Sequence, residues 1–161
     1  MADKIIIGGK SVERRELVDS AGRNMGVLEY DPGDIGILTR YPEFESRVNS
    51  PELFQRIEKI DALREAGITE NAMEIASLVE EIENEIAACI DFLFGIDSKA
   101  TCFSVKSPLW IHRIETENGS DDAYWFQRIM IAAKNITTEI SKKRISAKID
   151  RINAAVADIE S

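Results

Sequence analysis

The sequence predicts an α+β chain that is mainly α: a short N-terminal β-hairpin or three-stranded meander, a helical body, and one long C-terminal helix. Three observations predict it. Strand-like runs separated by turn-forming residues fill the chain up to Tyr30. From Asp31 onward, apolar residues recur at steps of three and four. No helix breaker interrupts the stretch from Ala123 to Glu160. At 161 residues the length suits a single domain with a real core. It divides into a small β element (4–30), a helical core (31–94), an irregular segment (95–119) and a long helix (120–160).

Within the β element, Ile5-Ile6-Ile7 runs into Gly8-Gly9 and then Lys10-Ser11-Val12, the pattern of a tight turn between two short strands. Gly8-Gly9 lacks the glycine spacing of a phosphate-binding loop, so the turn reading wins. Asp19-Ser20-Ala21-Gly22-Arg23-Asn24 is a second turn, and Met25 to Tyr30 returns as a further strand.

The helices announce themselves by their ends. Asp31-Pro32-Gly33-Asp34 offers an N-cap, a proline at the first helical position and an acid at N3. A helix through Ile35, Leu38, Tyr41, Phe44 and Val48 is expected to follow, with Pro42 kinking it or ending its first part. Ser50-Pro51-Glu52 repeats the start signal, and Leu53, Ile57, Ile60 and Leu63 form one stripe that stops at Gly67. Thr69 is expected to cap a third helix whose core face is Ile75, Leu78, Val79, Ile82, Ile86, Cys89, Ile90 and Leu93. Gly95 sits where a left-handed helix-ending residue belongs.

After an extended piece from Leu109 to Ile114 and a turn at Asn118-Gly119, Ser120-Asp121-Asp122 is expected to open the last helix. Its apolar positions run Ile129, Ala133, Ile136 and Ile140, then Ile145, Ile149, Ile152, Val156 and Ile159. The last five alternate steps of four and three, the spacing of a coiled-coil seam, and the step of five before them is a phase shift. A helix of this length outruns the width of the domain, so its end needs the third helix or another subunit to lie against.

Formal net charge is −9 and the pI is near 4.7, which makes nucleic acid a poor default partner. The basic run Lys142-Lys143-Arg144 is the one counter-signal and reads as a solvated helix face or as pairing with an acidic neighbour. No apolar run has the length of a membrane span, and Met1 to Lys10 does not resemble a secretory signal, so the chain is expected to be soluble. Two cysteines, Cys89 and Cys102, make neither a disulfide framework nor a zinc cluster.

Enzyme chemistry finds little footing. His112 is the only histidine and has no second histidine or evident nucleophile to serve, while Ser104 and Ser107 lack a nucleophile-elbow context. The acid run Glu80-Glu81-Ile82-Glu83-Asn84-Glu85 would need a second acidic pair one helix later to hold magnesium, and none follows Gly95. Glu80, Glu83 and Asn84 fall opposite the apolar stripe and read as a solvated face. Trp110, Tyr124, Trp125 and Phe126 either cap the core or anchor an interface. No catalytic residue, metal or cofactor is expected.

The run from Cys89 to Phe103 resembles the tail assembly chaperones of long-tailed phages and prophages of Gram-positive bacteria. In that family an amphipathic helix ends in an aspartate, bulky apolar residues and Phe-Gly, followed by a small-residue loop and another phenylalanine. Asp91, Phe92, Leu93, Phe94 and Gly95 match, with Thr101 and Phe103 as the second part. The hairpin from Lys4 to Val12, the Asp31-Pro32 helix start and the Lys/Arg-bearing late helix are also similar. The loop departs from the family, with Ile96-Asp97-Ser98-Lys99 where an acid and a glycine usually follow Phe-Gly. The resemblance implies a non-enzymatic protein of the bacterial host cytoplasm that self-associates, binds the tape measure protein, keeps it soluble and recruits tail tube protein. It implies client contacts at Phe92, Leu93, Phe94, Gly95 and Phe103. The seam Ile145, Ile149, Ile152, Val156 and Ile159 is the expected self-association surface. The alternatives are a structural tail or head–tail connector component retained in the virion, or a coiled-coil adaptor.

Overall fold

The computed structural model describes residues 12–116 and 119–160, so all but the last residue of the hairpin expected over Lys4 to Val12, and the turn residue Asn118, lie outside the described residues. Strand β1 (Glu13–Val18) and strand β2 (Asn24–Tyr30) pair antiparallel, with Glu13 opposite Tyr30 and Val18 opposite Asn24. Their connection is the expected polar turn. Asp19 organises it: its carboxylate accepts the amides of Ala21 and Arg23, both at 2.9 Å, and the Arg23 guanidinium at 2.8 Å. Those contacts hold the Asp19 carboxyl below its ordinary range, the Arg23 amide first among them.

Helix α1 (Gly36–Val48) begins later than Asp31-Pro32 suggests. Asp31 and Asp34 each fold back on the amide two residues ahead, Gly33 and Gly36, both at 2.9 Å, and so make successive turns rather than one cap. The helix runs on through Pro42, and its buried face is Ile37, Phe44 and Val48; Ile35 is exposed, and Leu38 and Tyr41 are half-buried. Helix α2 (Pro51–Gly67) starts as expected, with the Ser50 hydroxyl accepting the Leu53 amide at 3.3 Å.

Helix α3 (Ala72–Phe94) is not capped by Thr69, which lies in the preceding turn. Asn71 stands before it, and its side-chain amide reaches backward to the carbonyls of Leu63 and Gly67 at 3.1 and 3.0 Å, closing α2 instead. Ile75, Leu78 and Val79 are half-buried, and full burial begins at Ile82. Gly95 ends the helix in the left-handed region at φ +68°, its amide bonded to the Asp91 carbonyl at 2.7 Å.

The segment after Gly95 is more ordered than its composition suggests. It contains the single turn α4 (Ser98–Thr101) and strand β3 (Ile111–Thr116). Ser120-Asp121-Asp122 does not open the last helix; it belongs to strand β4 (Gly119–Tyr124), paired with β3 from Ile111–Tyr124 to Thr116–Gly119. Helix α5 then runs from Trp125 to Glu160.

Helices α1 and α2 pack on α3, α4 lies against β2, and the start of α5 lies against α1 and β4. Leu17, Leu28, Ile37, Leu53, Ile86, Leu93, Trp125 and Ile136 belong to one continuous cluster of buried residues, so every layer contributes to the same core. No helix among the described residues is long and apolar enough to cross a membrane.

Gly26 makes the contact between sheet and loop. It stands at φ +149°, and a Cβ there would lie 2.6 Å from the Thr101 carbonyl oxygen. Gly26→Ala is therefore expected to destabilise the fold by about 2–3 kcal/mol. A urea unfolding midpoint unchanged from wild type would contradict that role.

Candidate interaction surfaces

The Phe-Gly run is built into the body by three hydrogen bonds. The Asp91 carboxylate accepts the Ser98 amide at 2.7 Å, pulling the loop back onto the last turn of α3. Ser98 is fully buried, and its hydroxyl donates to the Ala87 carbonyl at 3.1 Å. The Trp125 indole nitrogen, also buried, donates to the Cys102 carbonyl at 3.2 Å. A buried polar group without a partner is costly, so each of these bonds fixes the path of the loop. From the other side, Arg40 donates to the Leu93 carbonyl at 2.9 and 3.2 Å while pairing with Asp34 at 2.7 Å, satisfying the end of α3.

The five expected client-contact residues divide accordingly. Leu93 and Phe94 belong to the core, Phe94 against the Tyr30 ring at a centroid distance of 6.1 Å. Phe92 is half-buried with the Arg47 guanidinium over its face at 5.6 Å. Phe103 is half-buried on the opposite side of the loop, where it edges a shallow groove of about 440 Å³ with Val79, Glu83, Lys99 and Pro108. Gly95 is exposed and serves as the helix stop. Phe92 and Phe103 alone keep aromatic surface for a partner.

The acid run is not uniformly solvated. Glu81 and Glu85 both pair with Arg56 of α2, joining the two helices. Glu83 is half-buried beside the groove, and burial pushes its carboxyl up, with Ser107 and Lys99 pulling the other way. Glu80 and Asn84 are exposed, as expected; Asn84 accepts from Lys99. Among the described residues, no group of three or more His, Cys, Asp or Glu side chains is placed to hold a metal ion. Cys89 and Cys102 are buried free thiols; burial pushes Cys102 up to about 11 and also raises Cys89.

Trp110, Tyr124, Trp125 and Phe126 are core-forming. Trp125 and Phe126 are fully buried, Trp110 contacts Trp125 at 5.6 Å, and Tyr124 stacks on Phe126 at 5.9 Å. His112 stacks on Trp110 at 5.5 Å and meets Trp125 edge-on at 5.4 Å, and neither ring nitrogen makes a hydrogen bond of ordinary geometry. It borders a cleft of about 480 Å³ walled by Tyr41, Phe44, Met130 and Ile131, in which burial pushes the Tyr41 hydroxyl up to about 12.

Among the described residues, the late seam is left uncovered. Ile145, Ile149, Ile152, Val156 and Ile159 are 58, 50, 52, 45 and 84% exposed, and every residue from 142 to 159 is exposed. Helix α3 does not cover it. Residues 142–159 have run past the body, so no face of the helix is covered there, and the step of five from Ile140 to Ile145, at about 100° per residue, also turns the apolar stripe by roughly 140°. Ile129, Ala133, Ile136 and Ile140 are buried against the body, and the seam lies on a different face of α5 beyond it. Lys142 and Arg144 are solvated as expected, and Lys143 approaches Glu13 at 4.0 Å.

Comparison with protein-family models, with curated proteins and with solved structures finds no match to this chain.

Two outcomes follow from the anchoring of the loop. Asp91→Ala is expected to lower stability by about 1–3 kcal/mol through the stranded Ser98 amide, and to raise the native-state reactivity of Cys102 toward a thiol reagent. Wild-type stability and an inert Cys102 would contradict the anchor. His112, whose imidazole is held below its ordinary value of 6.5 chiefly by burial, gives a pH effect of definite sign. The unfolded chain takes up the proton first, so His112 contributes stability at neutral pH that is lost as pH falls through 6.5 and below. His112→Phe is expected to flatten that part of the stability profile between about pH 7 and 5. An identical slope in both proteins would contradict it.

Proposed function

We propose that this chain is a non-enzymatic assembly chaperone of the phage-tail type. It acts in the cytoplasm of a bacterial host, self-associates, binds the tape measure protein and keeps that protein's long apolar helices in solution while tail tube subunits are recruited. The observation that carries the reading is the outward isoleucine seam of α5. Leaving five large apolar side chains in water on a helix that outruns its own body makes physical sense for a protein that meets another helix.

The resemblance of the Asp91-to-Phe103 run supplies the class of client, and the half-exposed Phe92 and Phe103 are its contacts. Leu93, Phe94 and Gly95 hold those two aromatic rings in place rather than touching the client themselves. Arrayed copies would multiply weak single-site affinity into useful retention, as avidity requires. The chain's net charge of −9 keeps the loaded complex dispersed.

Co-expression with a tape measure protein tests this directly. The wild-type chain is expected to bring the client into the soluble fraction and to be captured with it. Phe92→Ser combined with Phe103→Ser should cut capture by about tenfold or more while the helical circular dichroism is retained. A client that stays insoluble beside abundant wild-type protein would overturn the proposal.

A further inference from the structure

The geometry points to a second copy of this chain, running antiparallel, as the occupant of the α5 seam. The inference rests on the self-association in the proposed function, and it requires no client. The seam stands on the part of α5 that has run past the body, on a different face from Ile129, Ala133, Ile136 and Ile140, which stay buried. The covering surface is therefore to be sought on another molecule.

Charge selects the orientation. Lys142, Lys143, Arg144 and Lys148 cluster at the end of the seam nearest the body, with no acid among residues 142–149. Asp158 and Glu160 occupy the tip, with no base after Arg151. Antiparallel pairing lays the basic end of each helix along the acidic tip of the other. Parallel pairing would set four cations beside four cations. It would also bring two acidic bodies side by side, whereas antiparallel pairing holds them at opposite ends.

The side chains fit the same arrangement. With Ile152 at the middle of the seam meeting its own counterpart, Ile145 comes opposite Ile159, and Ile149 and Val156 fall within one residue of facing each other. At the positions flanking the seam, Ser146, Asn153 and Ala155 are small and uncharged, which lets the two backbones approach.

Disulfide trapping in the full-length chain reads the orientation. Ser146→Cys and Glu160→Cys flank the seam near its two ends, and Cys89 and Cys102 are buried and remain silent. In an antiparallel pair, two copies of either new cysteine stand about 20 Å apart, while position 146 of one chain lies beside position 160 of the other. Mixing the two variants under mild oxidation is expected to give at least tenfold more linked dimer than either alone. Light scattering on the wild-type chain should rise with concentration from 18.0 kDa toward about 36 kDa, and Ile152→Lys should stay at 18.0 kDa with its helical signal intact. Self-linking of Ser146→Cys as efficient as the mixture would overturn the orientation. A wild-type mass of 18.0 kDa up to a few hundred micromolar would overturn the inference, leaving the seam to a client or to another part of the same chain. Neither arm contains a client, so failed capture of the tape measure protein and failed dimerisation are read separately.

Discussion

Trp125 is the constraint on which the arrangement of this chain depends. Its backbone amide donates to the Trp110 carbonyl at 2.8 Å, just beyond the open end of the β3–β4 hairpin, and its indole nitrogen donates to the Cys102 carbonyl at 3.2 Å. One fully buried residue thus joins the hairpin, the loop after α3 and the first turn of the longest helix. An indole buries a large area but carries a polar edge that must find an acceptor, which makes it suited to fixing a carbonyl deep in a core. Asp91 and Ser98 extend the same logic to the end of α3, and Gly26 admits the loop against β2. The Phe-Gly run is a structural junction before it is anything else, and only Phe92 and Phe103 remain available at its margins.

The second organising feature is the change of face along α5. Through Ile140 the helix is an ordinary member of the core, and from Ile145 its apolar stripe lies on a different face, beyond that core. A continuous helix transmits this change without a break because each residue adds the same rotation, so a step of five instead of three or four redirects everything after it. One helix is thereby split into a part that stabilises the fold and a part whose apolar surface has no use within the described body. The proposed self-association draws on that second part.

Much of this was legible in the sequence where the determinant is local. Ser50-Pro51, Gly95 and the Asp19–Asn24 turn each act through their own backbone and immediate neighbours, and each does what its residue type implies. The seam and its phase shift follow from spacing alone. The errors arose where a side chain had competing partners. Asp31 and Asp34 have the chemistry of helix caps but bind the glycine amides two residues on, and Asn71 outcompetes Thr69 by closing the helix behind it. Ser120-Asp121-Asp122 looks like a helix start because acids favour a first turn, yet pairing with Ile111–Thr116 places it in a strand. That pairing had a signal in the Asn118-Gly119 turn, whose flanks read as a hairpin once both are taken as extended. The anchoring roles of Ser98, Trp125 and Arg40 depend on carbonyls distant in the chain, and no local pattern reports them. Gly26 did carry a hint, since an isolated glycine inside a strand marks a close backbone approach.

The central claim is that the outward half of α5 acquires its cover from another molecule. Backbone amide hydrogen exchange over residues 142–159, followed as a function of protein concentration, tests it most directly. The account predicts fast exchange in dilute solution, where a projecting helix frays, and protection that grows as copies associate, with exchange in the Trp125 core unchanged. Exchange over 142–159 that is slow and independent of concentration would contradict it, because the seam would then be covered by its own chain.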